Sequence, residues 1–350
     1  MQRRHLHIDL AKILAAHFIV LHHFTAYGPL AESWDMTTVA LTDWLFDYGR
    51  MAVQVFLVIG GYLAAMGLAP KGELKVEAPW RPIAQRYLRL APSYAVALLL
   101  TIAASLFASQ WLDDDFIPST PEIGQFAAHL ALLNGFVDFE PLTVGTWYVA
   151  MDFQLFALLT LMLWIGKRWA RWMVAALAIA SLFYFNLNES RSDWAPYFFG
   201  AYGMGAIAWW AGRSKYAVRY LTLLTLIGAA ALLWDFRLRI ALAGATALML
   251  GVGLWHRTRT RKTTVDITAD IPTFMPQWLA PVIAMLARSS YALFLVHFSV
   301  LILANTWFAQ LHTSRSVTLW GMLIGAWAAS QLVALVFERW VERPLSQLKI

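Results

Sequence analysis

Cysteine is absent from the 350 residues, which excludes disulfides, thiolate metal ligands and a cysteine nucleophile. Charge is scarce as well: Asp, Glu, Lys and Arg make up 14% of the chain, against about 25% in soluble domains. There is no His-Glu-x-x-His metal motif and no Gly-rich phosphate loop. The glycines at 60, 61, 203 and 205 lie in apolar runs and read as helix-packing contacts. No metal is expected. Internal repeats, heptads and low-complexity segments are missing too. What fills the chain is apolar, with 60% hydrophobic residues, 15% aromatic residues and a mean hydropathy of +0.56. So little polar surface cannot clothe a soluble fold, so the chain is read as dissolved in lipid, and a soluble globular enzyme is excluded.

A helix needs about 20 apolar residues to cross the hydrocarbon core. Ten stretches qualify: roughly 8–28, 46–68, 86–108, 143–166, 172–187, 195–212, 217–234, 238–256, 284–309 and 317–340. The expected fold is an all-α polytopic membrane protein with about ten transmembrane helices, one domain over 1–350 and no separate soluble domain. The first stretch has no clean small-residue cleavage site after it and reads as a retained span, not a signal peptide. An even count puts both termini on one side. With that side inward, 22 of the 27 Lys and Arg are inside, leaving Arg50, Arg191, Arg237, Arg239 and Arg315 outside. This positive-inside bias makes both termini cytoplasmic. It accounts for the net charge of +6 without nucleic acid as a partner. The outer loops 29–45 and 109–142 have no Lys or Arg but hold Glu32, Asp35, Asp43, Asp113, Asp114, Asp115, Glu122, Asp138 and Glu140. Within the second, Ile123 to Phe136 is amphipathic and expected on the membrane surface. The one long inner loop, 257–281, is polar and punctuated by Pro272, Pro276 and Pro281.

Ionisable residues inside spans cost roughly 2.5–3.5 kcal/mol or more and mark functional sites by default. The first span holds Asp9, Lys12, His17, His22 and His23. Lys12 and His23 are eleven positions apart, about 20° beyond three full turns and about 16 Å of rise. One helix stripe thus joins a cation near the inner surface to a deep imidazole. Lys12 has two open roles, ligand binding or snorkelling to headgroups with Asp9 as its i, i+3 partner. His17 reads as a packing histidine. His22 and His23 point about 100° apart, so one of them at most leads the chemistry. Arg86 and Arg89 share a face at the inner start of the third span, and their guanidinium forks suit phosphate oxygens or simple anchoring. Asp152 and Gln154, five and seven residues after Trp147, sit among Leu, Phe and Met and must face the bundle interior, for chemistry or for an interhelix hydrogen bond. His297 is a fourth candidate.

Taken in order, these segments resemble the acyltransferase 3 family of integral membrane acyltransferases. Lys12 and His23 match the family's Arg/Lys-x10-His motif, which Ile8-Asp9-Leu-Ala-Lys12 opens. Val55 to Tyr62 is similar to the aromatic-rich segment of the second span, and Arg86-x-x-Arg89 to the RxxR motif. Trp147 to Phe156 is similar to "WSLSVEEQFY", Ser290 to His297 to "SYSLYLWH", and Glu342-Arg343-Pro344 to the closing "ERP". Gly60 replaces the usual Ser, Asp152 stands where Glu is usual, and Phe153 replaces a second acid. The chain ends just after the tenth stretch, without the extracytoplasmic hydrolase-like domain of some relatives.

The resemblance implies transfer of an acyl group, commonly acetyl, from cytoplasmic acyl-CoA to a hydroxyl of an extracytoplasmic or lipid-linked glycan, at a bacterial cytoplasmic membrane. Acyl-CoA is then a co-substrate, and no permanently bound cofactor is expected. The partners are acyl-CoA, the saccharide acceptor and the lipid bilayer. Arg86, Arg89 and Lys12 would take the CoA phosphates. His23 would be the general base, helped by Asp152, with Asp9, Trp147, Gln154 and His297 as further candidates. A sugar hydroxyl is a weak nucleophile near pH 7, and a placed neutral imidazole contributes about 10²–10⁴-fold. The rival reading is a multi-pass transporter or flippase of a glycan or lipid precursor, in which buried charges and a central histidine are equally expected.

Overall fold

The computed structural model describes residues 6–34, 39–133, 135–137, 139–260, 276, 278–312 and 315–348. Among them there is no strand. The helices are α1 (Leu6–Ala26), α2 (Pro29–Glu32), α3 (Val39–Tyr48), α4 (Val53–Leu68), α5 (Trp80–Ala108), α6 (Ile123–Leu130) and α7 (Thr146–Gly166). They continue as α8 (Ala170–Phe183), α9 (Ala195–Gly212), α10 (Ala217–Trp234), α11 (Leu238–Thr260), α12 (Leu279–Gln310), α13 (Ser316–Phe337) and α14 (Arg343–Leu345).

Eight described segments are long and apolar enough to cross a membrane: Leu6–Ala26, Ala40–Leu68, Trp80–Ala108, Thr146–Leu187, Ala217–Trp234, Leu238–Arg259, Leu279–Gln310 and Ser316–Leu345. The expected number was ten, and two features make the difference. Two expected stretches, 143–166 and 172–187, form one apolar run, which the backbone divides at Lys167, where φ is +44°. Helix α9 coincides end to end with the expected 195–212 but is not apolar enough to be counted. Its Gly, Ala, Tyr and Trp residues serve protein contact instead of lipid contact: α9 packs against α4, α7, α8, α10 and α11, and nearly all of it is buried.

The α4–α9 crossing explains the paired glycines. A Cβ on Gly61 would strike the Tyr202 carbonyl, and one on Gly205 the Val58 carbonyl. With both side chains reduced to hydrogen, the two backbones touch, which is the close approach that small residues permit inside a bilayer.

Three loop expectations change. Residues 29–45 were read as an outer loop, yet they contain α2 and α3; α3 packs on α1, with the rings of Phe18 and Trp44 5.8 Å apart. The amphipathic stretch from Ile123 stops being helical at Leu130. Its polar side faces the protein, with Gln125 and His129 buried and Ile123 91% exposed, and Phe126 and Leu130 pack against the core beside them. Tyr94 and Tyr87 on α5 hold it, through His129 Nδ1 (3.2 Å) and the Leu130 carbonyl (2.9 Å). Of the polar stretch 257–281, residues 261–275 and 277 (with Pro272, Arg261 and Lys262) lie outside the described residues, as do Arg3, Arg4, Asp35, Asp138 and Lys349. The flanks 257–260 and 279–281 are helical, in α11 and α12.

Two of the cations expected outside have well-defined local partners. Arg237, between α10 and α11, donates to Asn186 Oδ1 (2.9 Å) and the Leu182 carbonyl (2.9 Å) and pairs with Asp235 at 3.1 Å. Arg239 pairs with Glu189 at 3.6 Å and lies over the Tyr197 ring. They clamp the ends of α8, α10 and α11 together.

Helix α12 is the most deeply embedded of the eight apolar segments, and α1, α5 and α13 pack around it. Its Asn305 fixes the end of α1: Oδ1 accepts the Leu30 N–H at 2.8 Å, and Nδ2 donates to the Leu301 carbonyl at 3.1 Å. The turn between α1 and α2 needs Gly28, whose φ of +80° favours glycine.

Candidate active site

Helix α1 carries His23 to α12, where Nδ1 of His23 lies 2.7 Å from Nε2 of His297. The two rings lie edge to edge and nearly coplanar, with centroids 4.9 Å apart and planes 8° from parallel. Both residues are buried. The tautomers follow from the surroundings. His297 Nδ1 sits 3.1 Å and 2.9 Å from the carbonyls of Leu293 and Phe294. A carbonyl only accepts, so Nδ1 of His297 carries the proton and its Nε2 has a lone pair. That lone pair accepts the Nδ1–H of His23. Nε2 of His23 is thereby left as the basic nitrogen. His297 thus fixes the ring orientation and tautomer of His23.

The neighbouring histidines are occupied elsewhere. His22 Nδ1 faces the Leu45 carbonyl at 3.2 Å, toward α3. His17 Nδ1 accepts the Trp327 indole N–H at 3.0 Å. The divergence of His22 from His23 is the one that the helical period predicts.

Elsewhere in the bundle, Arg86 of α5 and Asp152 of α7 form an ion pair: Nη2 and Nε donate to Oδ2 at 2.5 and 3.1 Å. Asp152 is 7% exposed at the side chain and Arg86 23%, and the guanidinium lies over the Phe156 ring, 5.3 Å from its centroid. Asp152 therefore bonds to Arg86, not to either histidine. Tyr148, Tyr202 and Tyr291 surround the pair as electrostatic neighbours of Asp152. Arg89, one turn on from Arg86, has a different setting: it is exposed and neighbours Glu342, as does Lys12. Lys12 also donates to the Ala287 carbonyl at 3.2 Å, which ties α1 to α12 below the histidines. Asp9 is half-buried in the first turn of α1. Trp147 stacks on Phe198 with centroids 5.4 Å apart. Gln154 lies about 200° around α7 from Asp152, away from Arg86.

The structure thus makes two groups of the expected residues, His23 with His297 and Arg86 with Asp152, and places Arg89 and Lys12 about Glu342. Rings connect the groups. Tyr148 meets Phe294 at 5.0 Å, and Phe294 meets His297 at 6.1 Å. Tyr148, Tyr202, Tyr291 and Glu342 were not picked out as site residues from sequence. Tyr148, Tyr291 and Glu342 lie inside segments that were, while Tyr202 gives no signal.

A separate cavity of about 270 Å³ opens at the C-terminal end of α5, lined by Thr101, Ser105, Ser109, Asp113, Asp114 and Thr120 among others. Its floor is Thr101, bonded to Ser299 of α12 at 3.0 Å. Ser299 is two residues from His297, about 3 Å of rise and about 200° of turn. The cavity therefore reaches the depth of the histidine pair on another face of α12.

Residues 5–339, nearly the whole chain, match a family model described as an acyltransferase domain. Neither a curated protein nor a solved structure matches the chain.

Proposed function

The chain belongs to the acyltransferase 3 family, and from that premise we propose that it moves an acetyl group from cytoplasmic acetyl-CoA to a hydroxyl of an extracytoplasmic or lipid-linked glycan. The observation that carries this reading is the 2.7 Å contact between His23 and His297, with His297 Nδ1 turned to two carbonyls. It leaves one buried, neutral, oriented imidazole with a free Nε2, the requirement for a general base acting on a weak oxygen nucleophile.

The steps balance simply. His23 Nε2 takes the proton of the acceptor hydroxyl as its oxygen bonds to the thioester carbonyl carbon. The tetrahedral intermediate collapses with cleavage of the carbon–sulfur bond. The proton on His23 then passes to the departing CoA sulfur, and the imidazole is neutral again. His297 keeps its own proton throughout and holds the His23 ring in one orientation.

Donor phosphates are assigned to the inner cations. Arg86 is engaged by Asp152, so Arg89 and Lys12 take most of this role, and the Arg86–Asp152 pair serves to shape the wall above them. Lys12 and His23 stand about 16 Å apart along α1, a span that a long flexible donor arm bridges. The acceptor comes from the other side, where the outer cavity offers hydroxyls and carboxylates that suit a polyhydroxylated molecule.

The test is acetyl transfer by purified protein in liposomes, with acetyl-CoA and envelope glycan as substrates. Wild type should consume acetyl-CoA only when acceptor is present, and His23→Ala should not, while retaining its melting temperature and CoA binding. Acceptor-independent movement of glycan across the bilayer, with no ester formed, would establish the transporter reading instead.

A further inference from the structure

Tyr202 and Tyr291 come from different helices, α9 and α12, and both have hydroxyls that are sealed from solvent without a hydrogen-bond partner. Both also have Asp152 and Arg86 as electrostatic neighbours. The Tyr202 ring is wholly enclosed and fixed from behind by α4: a Cβ at Gly60 would stand 3.1 Å from Tyr202 Cε2 and 3.6 Å from Asp152 Oδ1. Its position is thus set by backbone approach, not by a bond to its own oxygen. A buried hydroxyl with no partner destabilises a fold, whereas phenylalanine of the same shape carries no such cost. Two such hydroxyls, from two helices and both in the neighbourhood of one ion pair, mark a place that a ligand completes.

The chemistry of the place defines the ligand group. A phenol donates to an oxygen acceptor. The acceptor is uncharged, because the Asp152 carboxylate stands close by and Arg86 is already neutralised by it. The group also belongs to a molecule that continues toward the histidines, along the rings of Tyr148, Phe294 and His297. We infer that the Tyr202 and Tyr291 hydroxyls donate to the amide carbonyl oxygens of the donor's pantetheine arm, holding it between the inner cations and His23. This rests on the acyl-CoA reading above. It makes the two tyrosines donor-positioning residues, recognising the arm and not the nucleotide.

Tyr202→Phe, Tyr291→Phe and the double variant separate the parts of the donor. CoA and adenosine 3′,5′-bisphosphate, which has the phosphates but no arm, are titrated against each in nanodiscs. Each change should weaken CoA about three- to tenfold, the range of one neutral hydrogen bond. Binding of the bisphosphate should stay at the wild-type value, and ligand-free melting temperature should be unchanged or higher. CoA affinity of the double variant equal to wild type, equal weakening of both ligands, or lowered ligand-free melting in both single variants would each overturn the inference. Failure of the wild type to bind CoA at all would instead remove the acyl-CoA reading on which it stands.

Discussion

Replacing His297 isolates the most specific feature of the site. In His297→Leu the His23 Nδ1–H loses its only acceptor while the surrounding packing keeps its volume. A buried donor left without a partner costs about 1–3 kcal/mol, and the same free energy no longer favours the productive ring orientation and tautomer. That difference corresponds to about 5–150-fold in an equilibrium. The turnover number should accordingly fall by one to two orders of magnitude, with the KM for acetyl-CoA within about twofold, because the cations proposed to take the donor phosphates are untouched. His297→Gln keeps a carbonyl oxygen in reach of Nδ1 and should recover much of the loss. The assay is release of CoA thiol by reconstituted protein with saturating acceptor, with thermal melting of each variant run alongside. A His297→Leu enzyme turning over within threefold of wild type would refute the relay. So would a Gln variant no better than Leu at equal folded fraction, since the argument rests on the acceptor and not on ring shape.

Other outcomes follow from the same coordinates. Gly61→Ala must push α4 from α9 at the Tyr202 carbonyl; overpacking of this kind costs about 1–3 kcal/mol, and a melting temperature equal to wild type would show that the crossing yields easily. Burial lowers the pKa of His129, on α6 outside the spans, so the folded state binds fewer protons than the unfolded one below the ordinary histidine value. Stability should therefore rise with pH up to about 6.5 and level off above it, and His129→Gln should flatten that slope in melts taken between pH 5 and 7. Ten crossings with both termini cytoplasmic predict that reporters fused after residues 115 and 265 report outside and inside respectively; the same side for both would refute that topology.

How much of this was legible in the sequence depends on the range of the interaction. The Lys12–His23 stripe and the parting of His22 from His23 follow from 100° per residue within one helix, and the structure keeps both. The helix at 217–234 coincides with its expected bounds because length and apolarity define it locally. The partner of His23, by contrast, lies 274 positions away, and no periodicity says which helices adjoin. For the same reason Asp152 was expected to serve the catalytic histidine, whereas it pairs with Arg86. On α6 the apolar face was legible from its period, but not that its polar side chains His129 and Gln125 find partners in Tyr94 and the Glu140 carbonyl. Tyr202 was invisible because its role depends on the bare backbone of Gly60 across the interface.

The enclosure of α9 has a consequence for how the chain is made. Helices entering a bilayer one at a time must each prefer lipid to water on their own, and α9, rich in glycine and aromatic residues, is the helix of spanning length least equipped to do so. Three of its neighbours, α4, α7 and α8, precede it on the ribosome, but α10 and α11 follow, so its surface stays incompletely covered until synthesis has passed residue 260. Integration of this segment is therefore a collective event, delayed until flanking helices arrive. Nascent chains halted between residues 213 and 237 should leave α9 extractable by alkali, and chains extended past α11 should retain it.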